Sequence, residues 1–178
     1  SIISTILISV IFFLKYIFKN LTRNNLKWLF YGFIFISLPI AIFFNLKKLD
    51  NGSFLLIWLF VSICFTDIFS YAFGKLIKGP KIFPILSPSK TYSGTILGIT
   101  TGSLIGAIFS LIYLNINNIF NAIFLSLLIC ASGLIGDLFV SYTKRQFHTK
   151  DSGNILPGHG GLLDRYDSIS FGLIMLFF

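Results

Sequence analysis

A chain of 178 residues that is 55% hydrophobic and only 11% charged, with 22 Phe and a mean hydropathy of +0.87, carries more apolar surface than a water-soluble fold can hide. Fourteen Lys and Arg face six acids, all of them Asp, so a net charge of +8 must sit in a few short polar segments. Such segments favour anionic lipids or phosphate-bearing substrates, and the composition excludes a soluble globular enzyme.

Crossing the hydrocarbon core takes about 20 apolar residues, and the chain offers such stretches from its start. The first runs roughly from Ile2 to Phe18 and the second from Lys27 to Phe44, with Lys15, Lys19, Arg23 and Lys27 at or between them. Lys47 and Lys48 follow the second. A third, Phe54 to Phe73, carries Asp67 near its end, where an acid costs a few kcal/mol unless it meets water or protein interior. The plain alternative is that Asp67 only marks the interface. Cys64 and, later, Cys130 lie in apolar runs and say nothing about redox compartment.

The segment Gly74 to Gly94 is read as a long polar loop, with Lys75, Lys78, Lys81 and Lys90. It contains Ser87-Pro88-Ser89-Lys90-Thr91-Tyr92-Ser93-Gly94, hydroxyls around one cation just before a helix, which suits a phosphate oxyanion. Ser87, Lys90 and Thr91 are the candidate binding residues, although the spacing is not that of a Walker A loop. The fourth span, Thr95 to Leu114, is joined by a short polar turn to the fifth, Ile119 to Val140. Asp137 belongs to the last turns of that fifth span. The helical period places Ser141, Lys144 and Arg145 on much the same face as Asp137, a stripe of carboxylate, hydroxyl and two cations. Interfacial anchoring is the plain alternative for the two cations.

The second long loop, Tyr142 to Asp167, is the most informative part of the chain. Three glycines surround His159, so that the backbone of Gly160 and Gly161 can approach a phosphate closely just before a helix begins. Asp164 and Asp167 then lie side by side on the first turn of a sixth, truncated span that becomes apolar from Ser168. Carboxylates there are hard oxygen ligands of the kind Mg²⁺ takes, one or two at a time beside substrate phosphates. Helix capping is the alternative, and it does not account for Asp, Arg, Asp, His and three Gly in so short a stretch. His159 is read as binding rather than catalytic.

Because successive spans alternate sides, one side receives Lys15, Lys19, Arg23, Lys27, Lys75, Lys78, Lys81, Lys90, Lys144, Arg145, Lys150 and Arg165, and the other only Lys47 and Lys48. The positive-inside rule puts both long loops in the cytosol. The expected fold is therefore all-α, a polytopic transmembrane bundle of about six helices in one membrane domain, with cytosol-facing active-site loops and no fixed-period repeat. The chain starts with Ser1 and stops at Phe178 within an apolar run, which reads as a fragment of a longer protein. Asp67 and Asp137 also admit a different function, an ion-coupled transporter, although such sites belong near the bilayer midplane and these acids sit toward one surface.

The stretch Ser141 to Asp167 resembles the signature of CDP-diacylglycerol synthases (phosphatidate cytidylyltransferases), S-x-x-K-R-x4-K-D-x-[small]-x2-[aliphatic]-P-x-H-G-G-x-x-D-R-x-D, at every polar position. Thr143 and Tyr166 replace aliphatic residues usual in that family. Ser87 to Gly94 resembles its S-P-x-K-T-[aromatic]-x-G segment, with Ser93 where Glu is common, and Asp67 to Tyr71 matches its D-T-G-A-Y segment only at the two ends. The resemblance covers the chain from about Asp67 onward. It implies transfer of CMP from CTP to phosphatidic acid with a divalent metal, Mg²⁺, and room for a second ion. It assigns Lys144, Arg145, Asp151 and Arg165 to catalysis, and Ser87, Lys90, Thr91, Ser141, Lys150, His159, Gly160 and Gly161 to substrate. Asp137, Asp164 and Asp167 are the implied metal ligands. Membrane lipids are the expected surroundings, a homodimer is compatible with the resemblance, and no nucleic acid is implied. The motif of the CDP-alcohol phosphatidyltransferases is absent.

Overall fold

The computed structural model describes residues 23–84, 86–149, 152 and 163–177. Compact contacts divide the chain into two units, Ser1–Ser37 and Leu38–Phe178. The expected first span, Ile2 to Phe18, lies outside the described residues. The elements in chain order are α1 (Arg23–Lys47), α2 (Gly52–Ile77), β1 (Lys81–Phe83), β2 (Ser87–Thr91), α3 (Tyr92–Tyr113), α4 (Ile119–Gln146) and α5 (Leu163–Phe177). Four segments are long and apolar enough to cross a membrane, Phe30–Lys47, Gly52–Ile77, Tyr92–Tyr113 and Ile119–Gln146, and Tyr166–Phe177 is a shorter apolar one. The helical bundle expected from composition is thus present, and the protein is a membrane protein.

In the first unit the described part of α1 exposes Phe30, Tyr31 and Phe33, large side chains suited to lipid. The second unit is built inside-out relative to a soluble domain. Its buried positions are largely small or hydroxyl-bearing, Ser62, Thr66, Ser103, Ser110, Ser126 and Ser170 among them, while Phe60, Ile68, Ile96, Ile108, Phe120 and Phe124 are exposed. In hydrocarbon there is no hydrophobic gain from hiding a Phe against a neighbouring helix, so small residues that admit close backbones take the interior.

The contact between α2 and α3 follows this rule in register. Gly94, Gly98, Gly102 and Gly106, four residues apart, face Gly74, Ser70, Thr66 and Ser62, also four apart, as the helices run antiparallel. A Cβ added at Gly94 would meet the Ser70 carbonyl and the Gly74 backbone, and one at Gly98 or Gly102 would meet the Ser70 or Thr66 side chain. This four-residue spacing of small residues is what lets the two helices pack closely. The buried hydroxyls return their protons to the helix, Ser62 Oγ to the Trp58 carbonyl at 2.8 Å and Thr66 Oγ1 to the Ser62 carbonyl at 2.8 Å. Among the described residues no buried side-chain nitrogen or oxygen lacks a partner.

An apolar core lies toward the other end, where Ile42 and Leu46 of α1 meet Leu56, Trp58, Leu59 and Ile63 of α2, Ile129 of α4 and Leu173 of α5. Trp58, only 2% exposed, donates its indole N–H to Ser126 Oγ of α4 at 3.1 Å. Gly172 lets α5 approach Ile63 and Leu59 of α2.

Two loop boundaries shift. The helix expected to end at Phe73 runs on to Ile77, and positive φ at Lys78 (58°) and Gly79 (116°) then turns the chain into an antiparallel hairpin. Lys81 pairs with Thr91 and Phe83 with Ser87, so the expected loop Gly74 to Gly94 is largely ordered structure. Its strands are short, polar and interrupted by Pro88, and they show no apolar alternation that would have announced them. Likewise α4 continues past Val140 to Gln146 and closes with a Schellman pair, His148 N–H to the Arg145 carbonyl at 3.1 Å and Thr149 N–H to the Lys144 carbonyl at 3.0 Å. His148, at φ 55°, occupies the left-handed position that glycine usually takes, which is why Tyr142 onward reads as loop from sequence.

Candidate active site at one end of the bundle

The C-terminal ends of α2 and α4, the N-terminal ends of α3 and α5, and the hairpin all belong to the same end of the second unit, and this end gathers the polar residues. Thr91 caps α3, its Oγ1 accepting from Gly94 N–H at 3.2 Å. Tyr92 N–H donates to the Pro80 carbonyl at 3.1 Å, and Ser93 Oγ donates to the Lys78 carbonyl. These bonds fix β2 against the start of α3 and so aim Lys90.

The Lys90 ammonium is paired with the carboxylate of Asp137 on α4. Ser141, one turn further along, donates to the same carboxylate at 3.4 Å, as the helical spacing predicts. Asp137 stands more than two turns before Gln146, and Asp67 nearly three before Ile77. Both acids are therefore deeper than the last turns expected for them, because both helices run on past the apolar stretch. Beside Asp137 lies Gly136, where a Cβ would run into the carbonyl of Asp167 and the Phe171 ring. A glycine here lets α5 lie against α4 and brings the backbone of Asp167 close beside Asp137. Asp167 is 5% exposed, its Oδ1 accepting from Ser168 N–H at 2.7 Å, and it lies close enough to Asp137, Lys144 and Asp67 for each of their charges to act on it.

Lys144 and Arg145 occupy the last turn of α4, half-buried, and Arg145 Nη1 donates to the Thr149 carbonyl at 3.3 Å. Ser87, the first residue of β2, is half-buried. Lys150, Asp151, His159, Gly160 and Gly161 lie outside the described residues, and for Asp164 and Arg165 the structure gives only their place in the first turn of α5. Of the expected site, then, Lys90, Asp137, Ser141, Lys144 and Asp167 are brought together.

Reading the sequence residue by residue singled out Asp67 and Lys90 but missed the residues around them. A cavity of about 30 Å³, room for about two waters, is lined by Thr66, Asp67, Ser70, Lys90 and Thr95 with Cys130 and Gly133 at its apolar side. Thr66, Ser70, Thr95 and Gly136 carried no motif of their own. Their signal was the spacing of small residues along the spans.

The donor set suits a hard divalent cation. Among the described residues no three His, Cys, Asp or Glu side chains cluster as a complete metal cage. Mg²⁺ needs only one or two carboxylates when substrate phosphates complete its shell, and Asp137 with Asp167 meet that requirement.

A sequence profile described as "Cytidylyltransferase family" matches residues 1–178. A Rickettsia typhi protein named phosphatidate cytidylyltransferase is 42% identical over 156 residues, 84% of this chain and 68% of that protein. One of the same name from Rickettsia felis is 40% identical over 165 residues, 89% and 73% of the two chains, and one from Helicobacter pylori is 42% identical over 127 residues, 71% and 47%. With residues 1–178 inside the profile, the chain belongs to the cytidylyltransferase family.

Proposed function

We propose that this protein is a phosphatidate cytidylyltransferase, transferring CMP from CTP to phosphatidic acid to give CDP-diacylglycerol and pyrophosphate in phospholipid biosynthesis. The observation that carries the reading is the convergence of Lys90, Asp137, Ser141, Lys144 and Asp167 at the end of the bundle where the signature segment Ser141 to Asp167 begins and ends. The relatives' shared name supports it.

In this reaction a phosphate oxygen of phosphatidic acid bonds to the α-phosphorus of CTP, and the bond from that phosphorus to the bridging oxygen breaks, the electron pair leaving with pyrophosphate. The nucleophile is already an oxyanion, so no strong base is required, and catalysis rests on positioning and charge. Lys144 and Arg145, on a capped helix end, and Arg165 on α5 hold phosphate oxygens through charge-assisted hydrogen bonds. Lys150, Asp151, His159, Gly160 and Gly161 complete the nucleotide side, and Ser87, Lys90 and Thr91 approach from the hairpin. Mg²⁺, with room for a second ion, would be held by Asp137, Asp164 and Asp167 and would neutralise charge on the phosphates. The distribution of Lys and Arg supports a site facing the cytosol, in the cell inner membrane or its equivalent.

The transporter reading gains nothing from the geometry, because Asp137 is engaged by a surface hairpin rather than by a broken helix at midplane. The test is the purified full chain in detergent with CTP labelled at the α-phosphate, phosphatidic acid and Mg²⁺. The label is expected in the lipid extract as CDP-diacylglycerol. An extract free of label, beside an active relative assayed in parallel, rejects the reading.

A further inference from the structure

The hairpin lysine belongs both to an ion pair and to the lining of a cavity. Its ammonium is paired with Asp137 of α4, and the same residue lines the small cavity that Asp67 of α2 also lines. Asp67 has no place in the mechanism above, yet it lines this cavity with Lys90 and Cys130. An acid in an apolar span costs a few kcal/mol, and it is kept where it faces protein interior and finds opposite charge. Asp67 lines this cavity together with the hydroxyl-bearing Thr66, Ser70 and Thr95 and with Lys90, so an acid and a cation stand in the walls of one small space.

We propose that Asp67 is a positioning residue for Lys90, a second carboxylate that keeps the ammonium shared between α2 and α4 so that it can turn from Asp137 to a substrate phosphate. The inference rests on the cytidylyltransferase reading for its kinetic consequence, and on the cavity and the ion pair for its geometry. A lysine with one carboxylate partner in a low-dielectric pocket settles onto that partner, because the pair is strong and leaving it strands both charges. With Asp67 on the other side the exchange is balanced. Lys90 loses one carboxylate and gains a phosphate while never standing alone, and Asp137 is released to face the phosphates' counter-charge. Without Asp67, Lys90 stays locked on Asp137, which withholds a cation from substrate and a carboxylate from the site together. The close α2–α3 contact supports this role, since Gly98 against Ser70 and Gly102 against Thr66 hold the α2 wall of the cavity rigidly beside the strand that carries Lys90.

The experiment compares the unmodified chain, Asp67→Asn, Lys90→Gln, the double variant and Asp67→Glu, measuring KM for CTP, kcat and melting temperature. Asp67→Asn is expected to raise KM for CTP about tenfold, the equivalent of one lost charge-assisted contact, with a smaller change in kcat. Asp67→Glu should restore most of the affinity, and in the Lys90→Gln background the Asp67→Asn change should add little. An unchanged KM in Asp67→Asn, or an equal rise with Lys90 already removed, overturns the proposal. A lowered melting temperature with unaltered KM would make Asp67 a purely structural group and overturn it as well. If the unmodified chain does not turn over CTP, the failure belongs to the functional reading. The melting temperatures then still decide the pairing, since losses in the single variants that add fully in the double variant mean that Asp67 and Lys90 are not partners.

Discussion

Asp137 illustrates how one side chain serves several neighbours. It receives the Lys90 ammonium from the hairpin and the Ser141 hydroxyl from its own helix, and Gly136 next to it opens the space through which α5 delivers Asp167. Replacing it by Asn keeps the shape and removes the charge that holds a hard cation. Asp137→Asn and Asp164→Asn are each expected to remain folded, to lose most activity, and to need more Mg²⁺ for half-maximal rate, with the milder variant partly rescued at high Mg²⁺. Activity titrated against Mg²⁺, with melting temperature alongside, checks this, and unchanged Mg²⁺ dependence in both variants makes these acids structural. For the cations, Lys144→Ala should raise KM for CTP or phosphatidate or lower turnover. Arg165→Lys should also impair the enzyme, because a planar fork becomes a point charge. Wild-type kinetics in both would return them to the role of interfacial anchors. The stripe from Asp137 to Arg145 was legible because helical spacing alone puts those residues on one face. The Lys90–Asp137 pair was not, since 47 positions separate its members and only the hairpin's fold brings them together.

At the scale of elements, four of the expected spans coincide with helices because a run of about 20 apolar residues leaves the backbone no other way to satisfy its hydrogen bonds in lipid. Their ends were less legible. The hairpin of Lys81–Phe83 and Ser87–Thr91 is entered through positive-φ backbone at Lys78 and Gly79 and tied in place by bonds from Tyr92 and Ser93, none of which shows in hydropathy. The α2–α3 contact was written in the sequence as small residues every fourth position, a pattern masked by the large apolar side chains between them. It makes a sharp prediction. Gly98→Ala places a methyl group against the Ser70 side chain and backbone and should lower the melting temperature by several degrees, since overpacking a close contact costs about 1–3 kcal/mol. Gly32→Ala, with nothing near the added methyl, should leave it unchanged or slightly raised, since alanine is the better helix former. Detergent melts of the two variants beside the parent distinguish a packed contact from generic glycine flexibility.

For the whole molecule, the basic loops predict an orientation. In a background with Cys64 and Cys130 replaced by Ala, single cysteines at Ser89 in the hairpin and Asn117 in the short α3–α4 turn should label from opposite faces of sealed vesicles. Labelling from the same face would overturn the topology, and with it the cytosolic site. Asn117 is well placed for this, because the turn between Tyr113 and Ile119 lies at the end of the bundle away from Lys90 and Asp137. The inside-out packing has a thermodynamic consequence of its own. Soluble domains gain heat capacity on unfolding, roughly 12–15 cal/mol/K per residue, because they hand apolar core to water. Here Phe60, Phe120 and Phe124 already face outward, and many of the buried positions beside the apolar core are serines, threonines and glycines, so separating the helices within a micelle delivers little new apolar surface to water. Calorimetry in detergent should therefore find a heat-capacity increment far below the soluble value, and a stability that varies almost linearly with temperature rather than as a dome with a cold limb.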